Sequence, residues 1–348
     1  MTWLAVWMRA VIRPAGRRAL PVWIGTGIVG GTIFGGTGMH PHDLTGIALR
    51  SPAIALGLAA TWLLLFVPVA RLLVRDDATR FLRSLPHAEW PPRLLGLGAV
   101  LWYQLPWLAL WLVGENVLGL ALALAFTPII CAVALWRGKP PRVGDRRWGG
   151  PARALLAIHL RALRRRASDA LIRGAGLALL AGGAAALFVR NNELTGSAAS
   201  VLASAVIAVV LAPGWAGALL PLVEAHRASA WLARSVGASE ALRRAMLGVA
   251  IAIVYGAAMA IALGCAAIVV GDAATVGWLA LVGLAVAAGL ALIVTRGAVW
   301  ADASEFTAAR VVTGAVVASA LAVILLGWLG AAGAAGLVAI GVLALGTA

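Results

Sequence analysis

The chain has 348 residues, 62% of them hydrophobic and only 12% charged, with a mean hydropathy of +0.97. Soluble domains carry about twice that charged fraction, so composition excludes an ordinary soluble enzyme and predicts an all-α polytopic helical membrane protein. The net charge of +15 would suit a nucleic-acid partner if it formed one basic stripe, but its distribution along the chain excludes nucleic acid.

At the N-terminus Trp3, Leu4, Trp7 and Met8 precede or interleave with Arg9, Arg13, Arg17 and Arg18. A secretion signal has the opposite order, charge first and apolar stretch second. Arg9, Arg13 and Arg17 share one helical face, which predicts an amphipathic elbow helix lying in the membrane interface. A crossing helix needs about 20 mostly apolar residues. Ten stretches qualify: 20–38, 52–70, 94–113, 117–136, 171–189, 198–222, 247–270, 276–295, 308–327 and 329–346.

The connecting segments alternate in charge. Segments 1–19, 71–93, 137–173, 223–246 and 296–310 hold 26 of the 28 Lys and Arg residues, and the others hold only Arg50 and Arg190. The positive-inside rule then places the basic loops and both termini in the cytoplasm, facing anionic membrane lipid. The two cysteines, Cys131 and Cys265, sit inside apolar runs and read as small core residues.

The plan repeats with an offset of about 150 residues. A basic amphipathic helix at 3–18 has a counterpart at 153–170, where Leu156, Leu160 and Leu163 share one face and Arg161 and Arg165 the other. The sequences FLRSLPHAEWPPRLLGLG (81–98) and WLARSVGASEALRRAMLG (231–248) align, with Leu82 against Leu232, Ala88 against Ala238, Arg93 against Arg243 and Gly98 against Gly248. Three blocks result. The first membrane unit covers 1–150, with four spans and a short helix at 76–86. The second covers 151–298, with four spans and a cytoplasmic helix at 227–244. A C-terminal hairpin covers 299–348.

In RDDATRFLRSLP, Phe81, Leu82 and Leu85 cluster on a helical wheel, while Asp76, Arg80 and Arg83 point away. Pro86 lacks an N–H and biases Leu85 out of the helical region, so the helix stops there. An elbow, a span, an outer loop, a second span and then "LRSLP" before a short cytoplasmic helix resemble the type-2 ABC exporter permeases. The doubled plan is similar to the EcsB-like permeases, which carry a comparable acidic segment followed by "LLP". The usual protomer of that family has about six spans, so either one chain supplies both halves of a pore or it belongs to a divergent branch; a homodimer is a further possible arrangement.

The resemblance implies a multi-pass protein of the bacterial cytoplasmic (inner) membrane, served by a separate P-loop ATPase subunit. It implies that the short helix is a coupling helix. Phe81 and Leu85 would be its anchors, Asp76, Asp77, Arg80 and Arg83 its rim, and Trp231, Leu232, Arg234 and Glu240 the second-copy counterparts. Two other readings remain open at this stage. Both helices could simply cap the cytoplasmic face and snorkel their arginines, and the chain could be a non-transporting assembly or scaffold subunit.

Other chemistries lack their residues. The only lysine, Lys139, has no GxxxxGK[ST] around it, so no ATPase is expected in this chain. No catalytic constellation, cofactor motif or metal cluster stands out. Asp76-Asp77 would need a third acid where Arg80 stands, which argues against a membrane transferase, and His40-Pro-His42-Asp43 reads as loop residues rather than a metal site. Within GTGIVGGTIFGGTG, Gly27, Gly31 and Gly35 share a face, which predicts close helix packing. The spans are almost free of ionisable groups, which disfavours an ion-coupled carrier and favours a hydrophobic or amphiphilic cargo. Tyr103 and Gln104 beside Pro106, and Tyr255, are the polar features within spans and the candidates for a cargo path.

Overall fold

An apolar run in hydrocarbon leaves its backbone no hydrogen-bond partner but itself, so helices are the expected form. The computed structural model describes residues 3–34, 39–75, 92–136, 150–191 and 218–270, with positions 203, 207, 210, 211 and 277 beside them. Among the described residues every regular element is helical. Four helices are long and apolar enough to cross a membrane: Ile54–Val74, Val117–Leu135, Ser168–Arg190 and Glu240–Ala267. A fifth crossing is a pair, Leu95–Tyr103 and Leu105–Val113, bent by 56° at its break. These five fall on the predicted spans 52–70, 117–136, 171–189, 247–270 and 94–113. Predicted span 198–222 is helical at its described positions. Apart from Gly277, the three spans after residue 275 lie outside the described residues, as does the whole segment 76–91 with Asp76, Asp77, Arg80, Phe81, Arg83 and Leu85.

The chain divides into two compact units, Met1–Arg142 and Val143–Ala348. The first opens with α1 (Trp3–Trp7), a π-helical turn (Met8–Ile12) and α2 (Arg13–Phe34) in one continuous run. Pro14 has no N–H to return to the carbonyl of Ala10, and the wider turn just before it relieves that mismatch. The predicted elbow and the described part of predicted span 20–38 are therefore one helix with no break between them, and that helix is not among those long and apolar enough to cross. Trp7, Val11, Ala15, Ala19 and Val22 form its buried stripe, and Arg9, Arg13 and Arg17 stay exposed as expected. The glycine face fares differently: Gly27 and Gly31 are exposed, and a Cβ on either would meet nothing within 4 Å. Val29 and Ile33 do the packing there instead; Gly35 lies outside the described residues.

His40 caps α3 (Pro41–Arg50), its N–H bonded to Asp43 Oδ2 at 3.0 Å, while His42 Nδ1 lies 3.2 Å from the Gly114 carbonyl. The residues read as a loop thus begin a helix, since proline suits its first position and an acid its first turn. Then come α4 (Pro52–Arg75), α5 (Pro92–Tyr103), α6 (Leu105–Val113) and α7 (Val117–Leu135). The α4 helix is the hub, packing on α2, α3, α5 and α7.

In the second unit, α8 (Pro151–Arg166) and α9 (Ser168–Asn191) are separated by Ala167. Helical residues 218–228, then α10 (Ala230–Ser235) and α11 (Glu240–Val270), complete its described part. Helices α9 and α11 pack closely along their length because their facing residues are small. Ala178, Ala181 and Ala185 are fully buried on one, Ala250, Ala262 and Ala266 on the other, and a Cβ on Gly182 would run into the Ala262 carbonyl. On α8 the buried stripe is Leu155, His159 and Leu163, with Leu156 and Leu160 half-buried. Leu163 is buried as predicted, while the positions of Leu156 and Leu160 are taken by Leu155 and His159, one residue earlier.

Candidate docking element and the polar cluster beneath it

The cytoplasmic helix expected over 227–244 is broken. Gly237, at φ +67°, takes the left-handed conformation that closes α10. Its N–H bonds to the Arg234 carbonyl at 3.2 Å, and the Ala238 N–H to the Ala233 carbonyl at 2.9 Å, the paired bonds of a Schellman stop. Two residues later Ser239 starts α11, its Oγ accepting from the Leu242 N–H at 3.2 Å. A six-residue helix is thereby pinned by a stop and a start with almost no slack.

Its side chains divide sharply. Ala233 is buried and Leu232 half-buried, which seats the helix, whereas Trp231 is 67% exposed and Val236 56%. Arg227 and Arg234 are exposed around them, and the Arg234 Nε donates back to the Ala230 carbonyl at 3.3 Å. Of the expected second-copy residues, Trp231 and Arg234 face outward and Leu232 is part of the seat. Glu240 is not a free rim charge: its carboxylate takes a fork from Arg243, with Nε–Oε2 and Nη2–Oε1 both 2.8 Å, and a contact from Arg244 at 3.3 Å. Spaced i, i+3 and i+4 at a helix start, these partners are within its reach.

Arg243 ties the start of α11 to the helix before α10. Its Nη1 donates to the His226 carbonyl at 2.7 Å, and Ser229 Oγ donates to the same oxygen at 3.0 Å. The His226 ring lies 5.9 Å from that of His159 on α8, tilted by 31°. His159 is fully buried, and its Nδ1 donates to the Leu155 carbonyl at 2.8 Å, leaving Nε2 as an acceptor with no partner. The His226 Nδ1 is also buried without one. Burial, the Arg243 guanidinium and the facing His159 push the His226 pKa down to about 4. Burial lowers that of His159, against the pull of the Leu155 carbonyl. Both imidazoles are therefore neutral, the state that suits a dry site beside a cation. At the surface, Arg166 Nη1 meets Glu224 at 2.8 Å between two well-exposed groups, a contact of little energetic weight.

The cargo-path candidates are all buried. Tyr103 donates its hydroxyl to the Ile12 carbonyl at 2.9 Å, and its own carbonyl accepts from Trp23 Nε1 at 3.1 Å. Pro106 follows from the break: Trp107 N–H turns to the Gln104 carbonyl at 2.9 Å rather than to Tyr103's, which frees that oxygen for Trp23. Gln104 is fully buried, with Nε2 donating to Thr127 Oγ1 at 3.2 Å. Tyr255, in the second unit, is 3% exposed on α11.

Sequence reasoning passed over His159, His226 and the Arg243 tie. The signal was there in part, since His159 is the one polar residue on the i, i+4 line of Leu155 and Leu163. Ser239 followed by Glu240 and Arg243 also has the spacing of a helix start. His226 had no local signal. Among the described residues no group of three or more His, Cys, Asp or Glu side chains is placed to hold a metal ion. Compared with protein-family models, with curated proteins and with solved structures, the chain matches none.

Proposed function

We propose that this chain is the transmembrane permease subunit of an ABC-type exporter. A separate P-loop ATPase drives it, and it moves a hydrophobic or amphiphilic cargo by rigid-body motion. In this reading the basic face and both termini lie on the cytoplasmic side of a bacterial inner membrane. The observation that carries it is α10. A helix of six residues, held by a Schellman stop and a serine cap, presents a tryptophan that is 67% exposed. Such a residue, rimmed by Arg227 and Arg234, has the form of an anchor for a partner's groove. The residue pairing at an offset of about 150 sets the end of α10, Ser235-Val236, against Leu85-Pro86. The two expected grips would then stop at equivalent points. Because α10 is tied to α11 by its stop, its cap and Arg243, a force on α10 would pass directly into a membrane-crossing helix.

The test is purification of the full chain from its native membrane. It should bring down a polypeptide carrying GxxxxGK[ST] whose ATP hydrolysis changes on association. Trp231→Asp, and Phe81→Asp with Leu85→Asp, should abolish that association while leaving membrane insertion intact. Association that survives all three substitutions removes the coupling assignment.

A further inference from the structure

At the break between α5 and α6, polar atoms of the first unit are left over. Gln104 is fully buried, and while its Nε2 is used by Thr127, its Oε1 has no partner. One turn on, Trp107 stacks on Trp62 of α4 with centroids 5.3 Å apart and meets Trp111 edge-on at 5.5 Å. The three indoles are 3%, 7% and 5% exposed for Trp62, Trp107 and Trp111, and none of their N–H groups has a hydrogen-bond partner. Trp111 lies so close over Gly119 of α7 that a Cβ there would run into the ring. The strip therefore runs across α4, the bent pair and α7. From Pro52 to Ala70, Leu94 to Gly114 and Val117 to Leu135 there is no charged side chain.

An unmatched buried donor or acceptor costs about 1–3 kcal/mol, and native bundles carry few of them without a reason. The contrast within the same unit is instructive. Trp23 finds the carbonyl freed by the break, and Tyr103 finds Ile12. A discontinuous span that gathers unused polar atoms at membrane depth is also the usual construction of a ligand site in hydrocarbon.

We infer that this strip binds an uncharged amphiphile whose head presents several hydrogen-bond acceptors and at least one donor, as a glycerol ester or a sugar head does. Three indole N–H groups call for acceptors, and the Gln104 Oε1 calls for a hydroxyl or amide donor. A pure hydrocarbon satisfies none of them. A charged head would be buried with no counter-charge on any of these turns, at a cost of several kcal/mol. The ring faces are already in contact with one another, and the N–H groups and the Gln104 Oε1 are closed off from the surface, so the head reaches the ring edges only as the bent pair opens. As the cargo site of the exporter proposed above the strip rests on that reading; as a binding site it does not.

The test uses the full chain in phosphatidylcholine nanodiscs with no ATPase present. The probe is a monoacylglycerol carrying a diazirine beside its ester. Labelling should saturate on peptides from 54–74 and 95–113 and be displaced by excess monoolein, not by oleate or hexadecane. It should fall about tenfold in Gln104→Leu and in Trp62→Phe, the equivalent of one lost buried hydrogen bond. If Gln104→Leu does not fold, Trp62→Phe decides alone, since it keeps an aromatic ring in the stack and deletes the N–H. Label spread evenly over the outward-facing helices, label unchanged in the folded variants, or displacement by oleate or hexadecane as strong as by monoolein overturns the inference. ATPase association is not read in this experiment, so either proposal can fail without the other.

Discussion

The two units solve the same packing problem with different residues. In the first, Pro21, Pro68 and Pro128 lie inside α2, α4 and α7, and Pro106 sits at the break that bends the third crossing by 56°. Its core is filled by rings, with Trp62 against both Phe66 and Trp107. In the second, α9 and α11 contain no proline at all and meet through alanine and Gly182. Proline removes a backbone bond and leaves the helix a place to bend, whereas small residues let backbones approach until side chains have no room to shift. The first unit thus has defined points at which its helices can bend, and the α9–α11 seam of the second has little room to shift.

The sharpest way to break this contrast is Gly182→Val. Its side chain would meet the Ala262 backbone, which cannot rotate aside, so a loss of about 3 kcal/mol or outright failure to fold is expected in thermal unfolding of the detergent-solubilised chain. A small loss would show that the α9–α11 seam is loose. Next in size is the acid limb of stability. Burial and the Arg243 guanidinium hold His226 at about 4 in the folded state, against the ordinary imidazole value of 6.5, so the folded protein resists a proton that the unfolded chain accepts. The stabilising effect is complete above pH 6.5 and falls away as pH drops from there towards 4, by about 3 kcal/mol in all. His226→Gln should flatten that limb; an unchanged pH profile would mean the imidazole is not held in a dry site.

Arg243→Leu removes the charged donor to the His226 carbonyl and should cost about 2 kcal/mol. The loss should exceed that of Glu240→Gln, where the half-exposed carboxylate makes the fork worth about 0.5 kcal/mol. In the first unit Tyr103→Phe deletes the hydroxyl bond to Ile12 and should lower stability by about 1 kcal/mol. The smallest stability effect belongs to Trp231→Ala, within about 0.5 kcal/mol because the ring is mostly exposed. Its loss of ATPase association should nonetheless be complete, and that separation of stability from binding is what marks a docking residue.

Much of the crossing pattern could be read in advance, because twenty apolar residues in a row have few other fates. The break at Gln104 was not anticipated, since 94–113 reads as one continuous span, although Pro106 in the Tyr-Gln-Leu-Pro run carries its signal. Side-chain partnership was less visible. Gly27 and Gly31 share a face by spacing, yet that face turns outward, since periodicity says which residues lie together and not which side meets a neighbour. Glu240 has the composition of a rim charge, and only its fork with Arg243 shows that it is already engaged. Leu156 and Leu160 were one residue away from the stripe that His159 occupies, because a buried histidine bonded to its own backbone passes for a polar residue in any sequence pattern.

Hydropathy and the alternation of arginine-rich loops are local properties, and from them the chain alone determined, among the described residues, its helical character, five apolar crossings and which connecting segments carry charge. The pairing of His159 with His226, the tie from Arg243 and the stack of Trp62 with Trp107 join residues 67, 17 and 45 positions apart. Such contacts depend on how helices rotate and bend against one another, a balance of many small packing terms that no short window of sequence contains.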